Sequence, residues 1–248
     1  MTTSELVRLG IGTAVLLACT LVVLRVAGVS LGSRPVVAVA RGAAQLAAVG
    51  LLLRGVIAAP WAVALAVLVM LTTATVTAAR RLKGFEQVGR RVVAACAGGA
   101  GLALGVVFAL GVLPAQSRYV IALAGIVLGN TMTAATLAGR LLRSALISRR
   151  EEVEGWLALG ATMRQATDEL RTAAAAESLV PVLDQTRTTG LVTLPGAFVG
   201  ALLGGASPVQ AARFQLVVLA ALICAQAVVA VVLTWLLAAP RQVPVSAG

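Results

Sequence analysis

Residues 143–187 read RSALISRREEVEGWLALGATMRQATDELRTAAAAESLVPVLDQTR and separate two long apolar parts of the chain. This insert holds seven of the nine acidic residues, whereas the flanking stretches consist mostly of small apolar side chains. A polar segment of this length between apolar runs predicts an internal loop that lies in water. The fold class therefore depends on what the apolar runs on either side of the insert form.

The apolar content of 60% and the mean hydropathy of +1.00 exceed those of soluble domains, in which about 45–50% of residues are apolar. Several runs reach the about 20 residues that a helix needs to cross a bilayer. Strand alternation is absent, and helices then satisfy the backbone in lipid. The sequence predicts an all-α, multi-pass membrane protein with one transmembrane domain over residues 1–248. The insert, at about 143–188, is expected to be a helical cytoplasmic segment.

Seven transmembrane spans are expected from the apolar runs. They are Leu6–Val26, Val36–Ile57, Trp61–Ala79, Val92–Leu113, Tyr119–Leu142, Thr189–Gly204 and Ala211–Leu237. Fourteen basic residues, including Lys83 and Arg241, lie in the C-terminal tail and in the loops on one side of the expected membrane. Four lie in the segments on the opposite side. Because cytoplasmic loops are enriched in Lys and Arg, this bias predicts an extracellular N-terminus and a cytoplasmic C-terminus in the plasma membrane.

Local signals predict helices within the insert. Ser148 and Thr162, each followed three residues later by Glu or Gln, have the pattern of capping boxes. Gly160 is placed to end the first short helix, and Pro181 to begin a further helix that runs into the sixth span. In the fourth span, Gly98, Gly99, Gly101 and Gly105 predict close helix packing, with a dimer interface as one possibility.

Composition argues against several functional classes. The net charge of +11 does not indicate nucleic-acid binding, since the basic residues lie at helix ends and aromatic residues are few. The chain has no His and no CxxC, and its seven expected spans contain no Asp or Glu. A proton-driven carrier usually keeps such groups in the membrane, and a hydrolase needs a base or a metal. No Walker A pattern is present, so the sequence predicts a non-enzymatic protein without a cofactor.

The first helix of the insert, around Glu154, Trp156 and Leu157, carries an apolar stripe and ends at Gly160 and Ala161. Such a helix must lie on lipid or dock on protein. Nearby acidic residues disfavour anionic lipid headgroups, so docking on a partner is preferred. Packing on the chain's own basic loop at 80–91 remains an alternative.

Several motifs resemble known transport proteins. The Glu154-x5-Gly160 spacing, with Leu159-Gly160-Ala161, is similar to the coupling loop of ATP-binding-cassette (ABC) permeases, which inserts a helix into a groove of a cytoplasmic ATPase. A wider set of motifs resembles the FetB family of permeases, associated with iron export, over about residues 41–237. These motifs are RGAAQL at 41–46, GNTM at 129–132, LALGA at 157–161, GLVTLPG at 190–196 and ARFQ at 212–215. After Gly196 the chain departs from the family's methionine-rich run and has Ala197-Phe-Val-Gly-Ala201.

The resemblance implies a permease subunit that exports iron or a related solute with a separate ATPase, as a dimer in the lipid bilayer. Polar residues within the spans are candidates for the translocation path, namely Arg41, Gln45, Asn130 and Gln215. Leu194-Pro195-Gly196 is expected to kink the sixth span, either as part of a gate or as a tolerated kink of the kind common in membrane helices. The residues alone also allow an ATP-independent secondary carrier or a non-transporting membrane scaffold, and they do not identify a metal site.

Overall fold

The computed structural model describes residues 3–82 and 84–239, so Lys83 and Arg241 lie outside the described residues. Within these ranges the chain is all-helical, and no strand is found. The helices are α1 (Thr3–Val26), α2 (Arg34–Ala58), α3 (Pro60–Arg81), α4 (Val88–Ala109), α5 (Ser117–Ser148), α6 (Arg150–Ala158), α7 (Met163–Ala166), α8 (Asp168–Thr188), α9 (Gly196–Leu203) and α10 (Pro208–Leu237).

The contacts divide the chain into two units, residues 1–58 and residues 59–248. In the first unit, α1 and α2 are joined by a short turn with positive φ at Gly28 (70°) and Gly32 (55°). Glycine suits both positions because it lacks the Cβ that makes this backbone region unfavourable for other residues. The first and second spans expected from the sequence correspond to these two helices.

The second unit is a bundle of α3, α4, α5, α8 and α10, in which α10 packs against α4, α5 and α8. Its core consists mostly of small residues, which lets the helix backbones approach closely. At Gly99, an added Cβ would lie 2.6 Å from the Ala225 carbonyl oxygen of α10. Within the chain, close packing is found at Gly99, whereas an added Cβ at Gly98, Gly101 or Gly105 meets nothing within 4 Å. A dimer interface at these three glycines stays a prediction.

Five described helices are long and apolar enough to cross a membrane: α1, α3, α4, α5 and α10. The prediction of a sixth span over Thr189–Gly204 is wrong. Its only helix is α9, of 8 residues, which is about 12 Å long at 1.5 Å per residue and cannot cross a core of about 30 Å. The preceding stretch is instead a turn closed by a bridge between Thr189 and Thr193.

Candidate coupling helix and translocation face

The candidate coupling helix α6 carries apolar residues on both its buried and its exposed side. Val153 is 1% exposed, and Leu157 packs against the same core cluster, which also contains Leu82 and Phe85 from the end of α3 and the loop after it. Trp156 and Leu159 point outward, with 52% and 82% of their surface exposed. Trp156 is therefore exposed, whereas Leu157 is half-buried against this cluster, and their role as anchors for a partner stays a prediction.

The ends of α6 and α7 explain how the outer residues are presented. Gly160 has φ +91° and follows α6, which confirms it as the residue that ends this helix. Thr162 forms a capping box with Gln165 at the start of α7, as the sequence predicts. The capping box predicted at Ser148 is wrong, because its hydroxyl donates to the Ala145 carbonyl within α5. The tight turn at Gly160 leaves Leu159 beside Trp156 at the tip of the segment.

An arginine network ties α6 to the start of α8. Arg149 donates two hydrogen bonds to Glu152, at 2.6 and 2.7 Å, and one to Glu169 at 2.8 Å. Hydrogen bonds to Glu152 and then to Glu169 raise the pKa of Arg149 above its ordinary value. Glu154 instead pairs with Arg150 on its own helix, at 2.6 Å. The coupling candidate Glu154 therefore stabilises α6 locally, whereas Arg149 links two helices.

A second set of contacts joins the segment to the end of α10. The Thr167 hydroxyl donates to the Ala238 carbonyl at 2.7 Å, in a buried position. The guanidinium of Arg164 lies 4.1 Å from the centre of the Trp235 ring, a cation–π contact. These contacts join the region of α7 to the end of α10, and α6 follows α5 directly.

Two open grooves border the exposed tip. One, of about 350 Å³, is lined by Trp156, Leu159, Gly160, Ala161 and Gln165. The other, of about 640 Å³, shares Trp156 and Gln165 and continues along α8 past Glu169 and Thr172 to Ala176. The predicted coupling residues Trp156, Gly160 and Ala161 are thus brought together on one surface.

The helix α8 runs through the bundle beside α5 and α10, and antiparallel to both. Its first turns, with Leu170 and Ala174, pack in the cluster that contains Leu142 of α5 and Leu237 of α10. Further along, Val182 packs with Leu123 and Val127 of α5 and with Val218 and Leu222 of α10. Pro181 lies inside this helix, so the prediction that it begins a new helix is wrong. The second half of the expected insert is thus part of the bundle.

Glu177 lies near the middle of α8, between Ala175, which packs with Ala138 and Ala230, and Val182. It is exposed, and no hydrogen bond or ion pair binds it within the described residues. Helix α8 is not among the described helices that are long and apolar enough to cross a membrane. The expectation that the spans contain no Asp or Glu therefore stays a prediction.

The predicted path residues have different surroundings. Arg41 and Gln45 lie on α2, in the first unit, and both are exposed there. In the second unit, the Asn130 amide donates to the Ile126 carbonyl of its own helix at 2.9 Å. Gln215 is 6% exposed, and its Oε1 has no hydrogen-bond partner among the described residues. The role of these four residues in a translocation path stays a prediction.

The predicted gate, Leu194-Pro195-Gly196, differs in geometry from the kinked long helix that the sequence predicts. Pro195 is the N-cap of α9 in an extended conformation (φ −62°, ψ 144°), and Gly196 is the first residue of that helix. The motif therefore begins a short helix instead of kinking a long one, so the kink prediction is wrong. Leu194 is 65% exposed, beside a turn stabilised by the hydrogen bond from Gly190 N to Thr193 O, at 2.8 Å.

Sequence reasoning left Leu159 out of the candidate docking residues. Leu159 follows Trp156 at a spacing of three, so a helical wheel could have paired them. The buried side of α8, formed by Leu170, Ala174, Ala175, Ser178 and Val182, was also missed. Charges on the exposed side of this helix lower its average hydropathy, which hides its place in the bundle.

Comparisons with known proteins identify relatives over most of the chain. A family model described as "Uncharacterised protein family (UPF0014)" matches residues 7–241. "UPF0014 membrane protein STAR2" of Oryza sativa subsp. japonica is 37% identical over 203 residues, covering 80% of this chain and 70% of the relative. "Protein ALUMINUM SENSITIVE 3" of Arabidopsis thaliana is 35% identical over 214 residues, covering 84% and 77%. "Probable iron export permease protein FetB" of Escherichia coli (strain K12) is 36% identical over 120 residues, covering 48% and 46%. No solved structure matches the chain significantly.

Proposed function

Because the chain belongs to the UPF0014 family of membrane proteins, we propose that it is the permease subunit of an ABC transporter. A separate cytoplasmic ATPase drives it, and it exports iron or a related metal or small solute. The observation that carries the proposal is the exposed pair Trp156 and Leu159 at the end of α6, in a segment that follows α5 directly and is joined to the end of α10 by Thr167 after α7. Large apolar side chains at such a tip are suited to a groove on a partner.

Two relatives support a metal as the transported species. The name of one refers to iron export, and the name of the other refers to sensitivity to aluminium. Both metals form multivalent cations, and the proposed transport direction is export of such cations from the cytoplasm. The transported metal is the cargo of the protein and has no catalytic part in this proposal.

The proposal includes seven crossings, formed by α1, α2, α3, α4, α5, α8 and α10. Helix α8 forms the sixth crossing. Helix α10 then crosses in the direction that places the C-terminus on the side where most basic residues lie. The N-terminus then lies outside and the C-terminus in the cytoplasm, next to α6. A second copy of the chain completes the transporter, with α6 of each copy contacting one ATPase.

The test uses the tagged chain purified in mild detergent from membranes of its own cell. An ABC-type ATPase should co-purify, and the pair in proteoliposomes should move Fe²⁺ only when ATP is hydrolysed. Transport driven by an ion gradient without ATP would establish a secondary carrier instead. An ATPase that binds without any transport of Fe²⁺ or other solutes would indicate a scaffold.

The coupling contact has a matched test. The double substitution Trp156→Ala and Leu159→Ala should weaken ATPase association by about 30-fold, since buried anchors commonly contribute about 2 kcal/mol or more. Leu110→Ala, at the end of α4 and 74% exposed, removes a similar side chain far along the chain from the coupling segment and should leave association unchanged. Equal association of the double variant and the unsubstituted chain would contradict the docking role.

A further inference from the structure

A cavity of about 380 Å³ lies where the end of α10 meets α7 and the start of α8. Its lining residues are Arg164, Gln165, Asp168, Arg171, Trp235 and Ala238. Two arginines and one carboxylate give the cavity a net positive lining, whereas the 640 Å³ groove along α8 is lined by three acidic residues and no described basic residue. A cavity of this volume and charge can admit an anionic group.

Both arginines keep hydrogen-bond donors that no described residue uses. Arg164 forms no ion pair with a described residue, and its guanidinium lies 4.1 Å from the centre of the Trp235 ring. A cation–π contact uses the flat face of a guanidinium and leaves the N–H groups at its edge free. Arg171 donates from Nε to Asp168 Oδ1 at 2.8 Å and also from Nη2, which leaves Nη1. Such free donors suit a phosphate group, which arginine binds through paired N–H groups.

The position of the cavity along α10 places it at the level of lipid headgroups. Helix α10 is one of the helices able to cross a membrane, and its 30 residues give it a length of about 45 Å at 1.5 Å per residue. The hydrocarbon core takes up about 30 Å of this length, and the headgroup regions take up the rest. Trp235 is the third residue from the end of α10, and tryptophan is enriched at this boundary.

An apolar stripe on α10 leads to the cavity from the membrane side. Cys224, Val228, Val231 and Trp235 follow one another at spacings of three and four, so they share one face of the helix. Val231 and Trp235 are exposed, and the other two are half-buried. A lipid whose headgroup reaches the arginines can therefore lay its acyl chains along this stripe.

We propose that the cavity binds the headgroup of an anionic phospholipid. The phosphodiester accepts hydrogen bonds from Arg164 and Arg171, and the acyl chains contact the α10 stripe. Basic pockets between membrane helices bind acidic headgroups in this way. The bound headgroup joins α7 and α8 to α10 next to the hydrogen bond from Thr167 to Ala238. Lipid binding at this site requires neither an ATPase partner nor transport.

The test measures lipid selectivity at Trp235 in liposomes that contain the purified full chain. Trp61→Phe and Trp156→Phe leave Trp235 as the single tryptophan, and lipids brominated on their acyl chains quench its fluorescence on contact. Brominated phosphatidylglycerol should bind about fivefold more tightly than brominated phosphatidylcholine, which corresponds to about 1 kcal/mol for one net basic residue. Equal quenching by the two lipids would overturn the proposal, and it is the result expected if the arginines only join the helices.

Arginine substitutions in this background locate the preference. Arg164→Gln and Arg171→Gln should each bring the two lipids close to equal affinity. Arg187→Gln is the matched control, because Arg187 pairs with Asp184 on the same helix at the same spacing of three residues but lies near the other end of α8. This variant should keep the full preference. Full preference in both Arg164→Gln and Arg171→Gln, or its loss in Arg187→Gln, would contradict the assignment.

Two further measurements separate a lipid site from other sources of negative charge. A variant in which Trp61 is the single tryptophan should show no preference, since no described arginine stacks on its ring. An equal preference at Trp61 would indicate general accumulation of anionic lipid and would overturn the site. Excess inorganic phosphate at constant ionic strength should leave the preference at Trp235 intact, because phosphate lacks acyl chains. Abolition of the preference by phosphate would assign the cavity to a free anion instead of a lipid.

Discussion

Substitution of Gly99 tests the packing of α4 against α10. In Gly99→Ala the new Cβ would lie 2.6 Å from the Ala225 carbonyl oxygen and 2.8 Å from Val229 Cγ2. Ordinary contacts begin at 3.4 Å, so the two helices must separate by up to about 0.8 Å (3.4 minus 2.6). Because the closest atom belongs to the backbone, no side-chain rotation relieves the clash. Overpacking of this kind costs about 1–3 kcal/mol.

Gly101→Ala on the same helix is the matched control, since an added Cβ there meets nothing within 4 Å. Both substitutions gain the same helix propensity, about 0.5–1 kcal/mol, which cancels when the two variants are compared. The difference of about 1–3 kcal/mol corresponds to a Tm difference of several degrees, at roughly 2–4 °C per kcal/mol for a chain of this size. Tryptophan fluorescence during heating in detergent, at one fixed scan rate, measures this difference. Equal Tm values would refute the close approach at Gly99.

Three further outcomes are expected. Arg164→Gln removes the cation–π contact with Trp235 and should lower stability by about 0.5–1 kcal/mol, seen as a small fall in Tm; an unchanged Tm would argue against the contact. Arg41→Met should abolish Fe²⁺ transport without loss of ATPase binding if Arg41 contacts the path, and full transport with normal stability would remove it from the candidates. In a chain without its native cysteines, a cysteine at Leu159 should react only from the cytoplasm and one at Gln116 only from outside; the reverse pattern would invert the topology.

The site could be predicted only in part. The bounds of α6 and α7 were recognisable because Gly160 and the Thr162 capping box are local signals that depend on neighbouring residues. The sequence left open how much of the apolar stripe of α6 is buried, because the core cluster against which Leu157 packs contains residues far away in sequence, such as Leu82 and Phe85. A helical wheel indicates which residues share a face, but it does not indicate how much of that face another segment occupies.

The membrane class and most long helices follow from the sequence by itself, because a run of about 20 apolar residues must form a helix wherever it meets lipid. Tertiary structure decided the position of α8. A helix that packs in a bundle needs only one buried side, so α8 packs against α5 and α10 while Glu177 and other charges stay on its exposed side. The more apolar stretch after it became a turn and the short helix α9, which begins at Gly196 after Pro195, a residue that cannot donate a backbone hydrogen bond. Average hydropathy favours the later stretch over α8 as a long buried helix, because an average does not record which side chains face one another.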